Sequence, residues 1–266
     1  MIYITGDCHK DFSRFTITNF PEQKQMGRND YVIICGDFGG VWCNSKNSKS
    51  SRNIDDFDLN WLEDKPFTTL FVDGNHENFE ELYKYPVKEW NGGKVHELRP
   101  HVLHLMRGEV FEICGKKIFA FGGARSHDIQ DGIIEWDEEG RWKETAKKWD
   151  RQGKIFRVNH YSWWEEELPT EEEIENAYVN LERYDYKVDY IVTHCCSNTV
   201  LFEYALKRFG ETMVAKEYND HNILTDFFDD INRKVEFSKW FFGHHHADMV
   251  IMDRHILLYY QIIRIA

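Results

Sequence analysis

The sequence contains no apolar run of the ~18 residues that a membrane-spanning helix needs, no C-x-x-C pair and no surplus of positive charge. The first absence excludes a helical membrane span. The second removes the simplest zinc and thiol-redox motifs. Of the six cysteines (Cys8, Cys35, Cys43, Cys114, Cys195 and Cys196), the adjacent Cys195 and Cys196 are poorly placed to pair with each other. Reduced, mostly buried thiols are expected. The third absence, 33 Lys and Arg against 46 Asp and Glu for a net charge of -13, excludes the uniform cationic surface of a general nucleic-acid binder. The opening MIYITGDCH carries no secretory pattern, and with the thiols this gives a cytoplasmic location as the expectation.

What is present suffices for a sizeable core: 266 residues, 42% of them hydrophobic. One α/β domain over residues 1–266 is the simplest organisation. Short β-branched or aromatic runs each stop at a polar cluster: IYIT before Gly6-Asp7, YVIIC before Gly36-Asp37, TLFV before Asp73-Gly74-Asn75-His76, IFAF before Gly122-Gly123, YIVT before His194 and WFF before Gly243-His244. Continuous apolar strands of this kind are buried on both faces of a sheet. Their polar ends then gather along one edge, where α/β proteins bind ligands.

Helical stretches are expected at 53–64 and 199–209, and DMVIMDRHILLYYQIIRI reads as two paired strands turning near Asp253-Arg254. Residues 126–187 break the rhythm with charge and five tryptophans, Trp136, Trp142, Trp149, Trp163 and Trp164. Within them Thr170-x-x-Glu173 has the spacing of a capping box that opens a helix through about Arg183. The segment reads as a charged, Trp-rich helical insertion packed by its aromatics, or as a lid that sets substrate size.

The strand-end clusters carry metal-competent side chains. In an extended chain Asp7 and His9 point the same way while Cys8 points opposite, a bidentate arrangement for a divalent ion, and His244 and His246 repeat it. Either pair alone also fits an ordinary polar loop. Asp37 follows Gly36, where the backbone can turn sharply, and its two oxygens can bridge two ions. Asn75 offers a carbonyl oxygen to an ion and an amide NH2 to a phosphate. His194 adds an imidazole at the end of its own strand.

The series Asp7-Cys8-His9, Gly36-Asp37-Phe38-Gly39-Gly40, Gly74-Asn75-His76-Glu77, His194 and Gly243-His244-His245-His246 resembles the calcineurin-like metallophosphoesterase family, whose motifs are D-x-H, G-D-x-x-D, G-N-H-[DE], a lone His and G-H-x-H. The order agrees, and the motifs span nearly the whole chain. The resemblance implies a four-layer α/β/β/α sandwich of two mixed sheets with a dinuclear metal site at the strand ends. It assigns Asp7, His9 and His246 to one ion, Asn75, His194 and His244 to the other, and Asp37 to both. Mixed N/O donors suit manganese, with iron or zinc as alternatives, better than calcium.

Two ions roughly 3.5–4 Å apart can hold one water between them and aim the resulting hydroxide at phosphorus. The implied activity is hydrolysis of a phosphomonoester or phosphodiester on a small, phosphorylated or nucleotide-like substrate. A nuclease and a non-catalytic scaffold of the same fold are the alternatives. His76 stands in the family's catalytic-histidine position, as a proton donor to the leaving oxygen. Gly40, however, replaces the second aspartate of G-D-x-x-D, which often orients that histidine. Asp73, Glu77 or a group from the insertion are the replacements on offer. The Asp-Arg-Gly continuation of the related Ser/Thr protein phosphatases is also missing, which argues against that activity. Arg125 follows a strand end and is the candidate substitute anion contact, since a guanidinium forks onto phosphate oxygens. His127 and Asp128 are expected near the same cleft.

Overall fold

Side chains alternate between the two faces of a strand, and this sorts the apolar runs into layers. The computed structural model describes residues 1–43, 49–210 and 221–266, the side chains of 49–53 excepted. One sheet contains β1 (Ile2–Thr5), β2 (Tyr31–Ile34), β3 (Thr68–Phe71), β4 (Val87–Trp90), β5 (Gly93–Arg99), β6 (Val102–Leu105) and β15 (Ile263–Arg264), in the order β15-β1-β2-β3-β6-β5-β4. The other contains β7 (Glu109–Ile113), β8 (Lys116–Phe121), β11 (Tyr190–Thr193), β12 (Lys239–Phe242), β13 (Met249–Ile251) and β14 (His255–Leu257), in the order β13-β14-β12-β11-β8-β7. Between β8 and β11, β9 (Ile133–Ile134) and β10 (Arg157–Val158) form a separate parallel pair.

Ile2, Ile4, Ile33 and Leu70 of the first sheet meet Ile118, Ala120, Val192 and Phe241 of the second in a central core. The intervening residues face outward. Tyr3, Val32, Ile34 and Phe71 pack with Leu59 and Leu62 of α1 (Lys49–Glu63) and with Leu82 of α2 (Phe79–Leu82). On the far side, Phe119, Phe121, Trp240 and Phe242 pack with residues of α4 (Glu171–Glu182), α5 (Asn198–Phe209) and α6 (Ile223–Lys234). Helix, sheet, sheet and helix make four layers, the architecture the motif series implied. Each large apolar side chain buried in them contributes about 1.5–3 kcal/mol.

The helix expected at 53–64 runs from Lys49 to Glu63, and that at 199–209 from Asn198 to Phe209, capped by the Ser197 hydroxyl accepting from Val200 N. The capping box forms at Thr170 and Glu173, and Arg183 closes α4. β13 and β14 pair antiparallel through a three-residue connection in which Met252 and Asp253 have positive φ. The remaining residues do not extend that hairpin; they cross to the other sheet as β15, antiparallel to β1.

Between residues 126 and 169 the chain is less regular. α3 (Trp142–Arg151) buries no residue, and only Trp164 of the five tryptophans is buried, edge-on to Trp42 at 5.6 Å. Trp142 packs on Tyr161 and Trp149 on Phe156. All six cysteines are free thiols, four of them buried. Among the described residues no helix is long and apolar enough to cross a membrane.

Candidate metal centre

β1, β2 and β3 run parallel to one another, as do β8, β11 and β12, so the polar clusters that end them share one rim. Asp7 follows β1 and is fully buried; its carboxylate accepts from His244 N at 2.9 and 3.1 Å, joining the end of β12 to that of β1. This approach requires glycine before His244, because a Cβ on Gly243 would stand 2.0 Å from Asp7 Oδ1. Gly36, at φ 88°, makes room in the same way for the His194 ring.

The backbone at the donors is not the extended chain expected. His9, Asp37, His244 and His246 all have positive φ, between 45° and 69°. Such left-handed residues are uncommon and cluster where surrounding structure enforces them. Here the loops cross: His9 N and Cys8 N both donate to Asp37 O, at 2.7 and 3.1 Å. His9 and His246 therefore converge by turning toward each other, not by strand alternation, and their Nε2 atoms are 2.9 Å apart.

The remaining donors close around them. His194, fully buried, donates from Nδ1 to Cys35 O at 2.8 Å, which leaves Nε2 to face Asn75 Oδ1 and Asp37 Oδ2, each at 3.3 Å. Asp37 Oδ2 also lies 3.6 Å from His9 Nε2, and Asp7 Oδ2 lies 3.3 Å from His246 Nε2. The His244 ring sits edge-on to His194, and its Nε2 is 3.1 Å from that of His127. Three overlapping trios, Asp7/His9/His246, His9/Asp37/His76 and Asp7/Asp37/His194, hold their donor atoms within 4.8 Å of one another.

Electrostatics explain what such a cluster accommodates. Among the described residues, the charged partners of the Asp7 and Asp37 carboxylates are all histidines. Burial opposes charge on His194, yet Asp37 and Asp7 hold its pKa up at about 10. Burial also resists ionisation of Asp37, but His194 and the other histidines keep its pKa well below the usual carboxylate range. Burial and the neighbouring imidazoles push His244 far down, and burial lowers His9, so both present lone pairs. Two buried carboxylates among imidazoles and an amide oxygen fit divalent cations with mixed N/O coordination, positive charge that would replace the proton the carboxylates hold on His194.

His76 lies beside this group, its backbone N–H donating to Asp37 Oδ1 at 2.8 Å and its ring edge-on to His9. Neither acidic neighbour in its own loop reaches its ring. Asp73 is turned away into a buried ion pair with Arg107 and a 3.0 Å contact to His104 Nε2. Glu77 accepts from Phe38 N at 2.6 Å and Gly39 N at 3.2 Å, bracing the loop that carries Asp37. The group that does reach His76 comes from the irregular segment: Arg157 Nη2 stands 3.3 and 3.2 Å from its two ring nitrogens and is held by Asp128. Burial lowers the pKa of His76; Asp37 opposes this and Arg157 adds to it.

Arg125 is exposed, and it is the next residue, Ser126, that touches Asn75, accepting from Nδ2 at 3.2 Å. The Ser126 hydroxyl donates to buried Glu167 at 2.6 Å. Ser126, Glu167 and Arg157 were not singled out by sequence. Ser126 directly follows Arg125 in a recognised cluster, whereas Arg157 and Glu167 lie in no motif.

A model of the calcineurin-like phosphoesterase family matches residues 1–248. Lariat debranching enzyme A of Xenopus laevis is 27% identical over 144 residues, which cover 50% of this chain and 26% of the relative. The lariat debranching enzymes of Danio rerio and Homo sapiens are 26% and 27% identical over 51% and 50% of this chain, and 24% and 25% of their own. The matched segment spans about a quarter of the length of these curated relatives. With its motifs gathered at one rim of a four-layer sandwich and the family model matched from end to end of them, the chain belongs to the calcineurin-like phosphoesterase family.

Proposed function

We propose that this chain is a cytoplasmic, metal-dependent phosphoesterase that hydrolyses a phosphomonoester or phosphodiester of a small, nucleotide-like substrate. The observation that carries the reading is the pair of buried carboxylates, Asp7 and Asp37, whose charged partners among the described residues are histidines alone. Asp7, His9 and His246 would hold one ion, Asn75, His194 and His244 a second, and Asp37 both, with manganese preferred and iron or zinc as alternatives. When bound, the ions supply positive charge against the phosphate and acidify a water nucleophile.

The protein's own groups do the rest. Cys35 O fixes the His194 ring, so that one nitrogen always faces the ion site. Ser126, anchored by Glu167, orients the Asn75 amide. His76 lies where its ring can give a hydrogen to a phosphate or leaving oxygen. The net charge of -13 repels a long polyanion, which favours a small substrate.

The similarity to enzymes named for debranching lariats favours a second reading, a nuclease acting on a branched nucleic acid. One matrix separates the two: stripped protein reloaded with Mn2+, Fe2+ or Zn2+ and offered aryl phosphomonoester, aryl phosphodiester, cyclic nucleotide and branched oligonucleotide. Metal-dependent turnover is expected, and Asp37→Asn should abolish it while the circular dichroism spectrum stays unchanged. A well-folded protein inactive with every ion and substrate would instead be a metal-binding scaffold.

A further inference from the structure

His76 meets a cation where the family's G-D-x-x-D motif provides an aspartate, and the structure shows why the aspartate's own position is closed. A Cβ on Gly40 would lie 2.5 Å from Cε1 of Phe38, whose ring is stacked at 4.0 Å on Phe71 in the outer core of the first sheet. A side chain there would have to displace a packed phenylalanine.

Arg157 fills the role from elsewhere. It is nine-tenths buried at the start of β10, and its guanidinium is fixed on three sides. Nε and Nη2 fork onto Asp128 Oδ1 and Oδ2, both at 2.6 Å, and Nη1 donates to Ser162 O at 2.7 Å. Nη2 has a second hydrogen, and the nitrogens of the His76 ring lie 3.2 and 3.3 Å away. A guanidinium only donates. Nearly equidistant from both nitrogens, the guanidinium lies against the ring as a whole and restrains its orientation, without selecting which nitrogen carries the hydrogen. A carboxylate in the same place would instead accept a ring N–H.

We propose that Arg157 is the positioning residue of His76, held in place by Asp128, and that the segment from Asp128 to Ser162 thereby completes the catalytic centre. It holds the ring in its orientation beside His9. The catalytic meaning of this rests on the phosphoesterase reading; the ring orientation does not.

A double-mutant cycle on the full-length, manganese-loaded protein with an aryl phosphodiester tests it. Arg157→Ala is expected to lower kcat about 10–100-fold, the range typical of lost supporting contacts, with KM changed less than about 3-fold. Arg157→Lys should recover part of the loss, and Asp128→Asn, which retains the volume, should fall between. In a His76→Ala background, Arg157→Ala should change kcat by less than about 2-fold, because a residue that acts through another has nothing left to position. Losses that multiply in that background would overturn the proposal, as would an effect confined to KM, which would make Arg157 a substrate contact. The His76 ring nitrogen signals, read by 15N NMR in wild type and Arg157→Ala, give the same answer without turnover. A shift supports the contact, and superimposable signals refute it. Absence of hydrolysis by the wild type with every ion would sink the phosphoesterase reading alone, because the ring signals still decide the contact.

Discussion

Arg107→Leu should destabilise the protein by about 3–5 kcal/mol, the usual cost of removing one partner from a buried ion pair. Arg107 and Asp73 are both almost wholly buried, and Arg107 Nη2 donates to Asp73 Oδ2 and, at 2.7 Å, to Glu166 O, while Nη1 reaches Glu173 at 3.2 Å. Leucine keeps much of the apolar stem but leaves the Asp73 carboxylate with His104 alone. About 2.1 cal/mol/K per residue over 266 residues is roughly 0.6 kcal/mol/K, so a loss of about 4 kcal/mol lowers Tm by about 7 °C.

The pH dependence has a definite sign. Burial raises the Asp73 pKa, but Arg107 and His104 outweigh it and hold the folded value below the ordinary one. Its stabilisation is therefore complete above the unfolded value of about 3.9 and is lost as pH falls through the folded value. Thermal unfolding followed by circular dichroism, with chelator present, should show the gap between wild type and Arg107→Leu at pH 7 and its narrowing below about pH 4. A Tm difference under about 2 °C at pH 7, or a gap that widens in acid, would refute the reasoning.

Other substitutions probe other parts of the molecule. His76→Ala should slow hydrolysis much more for a poor leaving group than for an activated aryl phosphate, and equal losses would exclude a proton donor. Gly243→Ala places a Cβ against Asp7 and should weaken metal binding about 10-fold or more in a chelator competition titration; unchanged affinity would mean that the Asp7 loop yields freely. Thr170→Ala removes the α4 capping box and should cost about 1 kcal/mol, or about 2 °C, with kcat untouched. A change in kcat would tie α4 to the chemistry.

The layers and the rim were readable because both are local patterns repeated along the chain. Alternating apolar positions in IYIT, YVII and IFAF fix which side chains face the central core, and the polar residue after each run marks the rim. The backbone at His9 and His246 was not readable, because left-handed φ at His9 accompanies bonds to Asp37 O in a separate loop, and His246 meets it from the far end of the sequence. The same holds for β15, a two-residue strand whose only pairing partner in its sheet is β1. The destination of Asp73 was hidden as well: as a neighbour of Asn75 it looked like a partner for His76, yet Arg107 and His104 claim it from the other side. Arg157 sits 81 positions from His76 in a strand of two residues, too short for any periodicity to announce it.

The proposed donor residues are divided between the two sheets: Asp7, His9, Asp37 and Asn75 follow strands of one, and His194, His244 and His246 follow strands of the other. The central core that joins these sheets is apolar and therefore non-directional, resisting separation much more than lateral sliding. An ion coordinated from both sides acts as a rivet through that plane. Slippage of one sheet past the other by a fraction of a residue would pull such coordination apart, so on the proposed reading a ligated centre would also fix the mutual alignment of the two halves of the molecule.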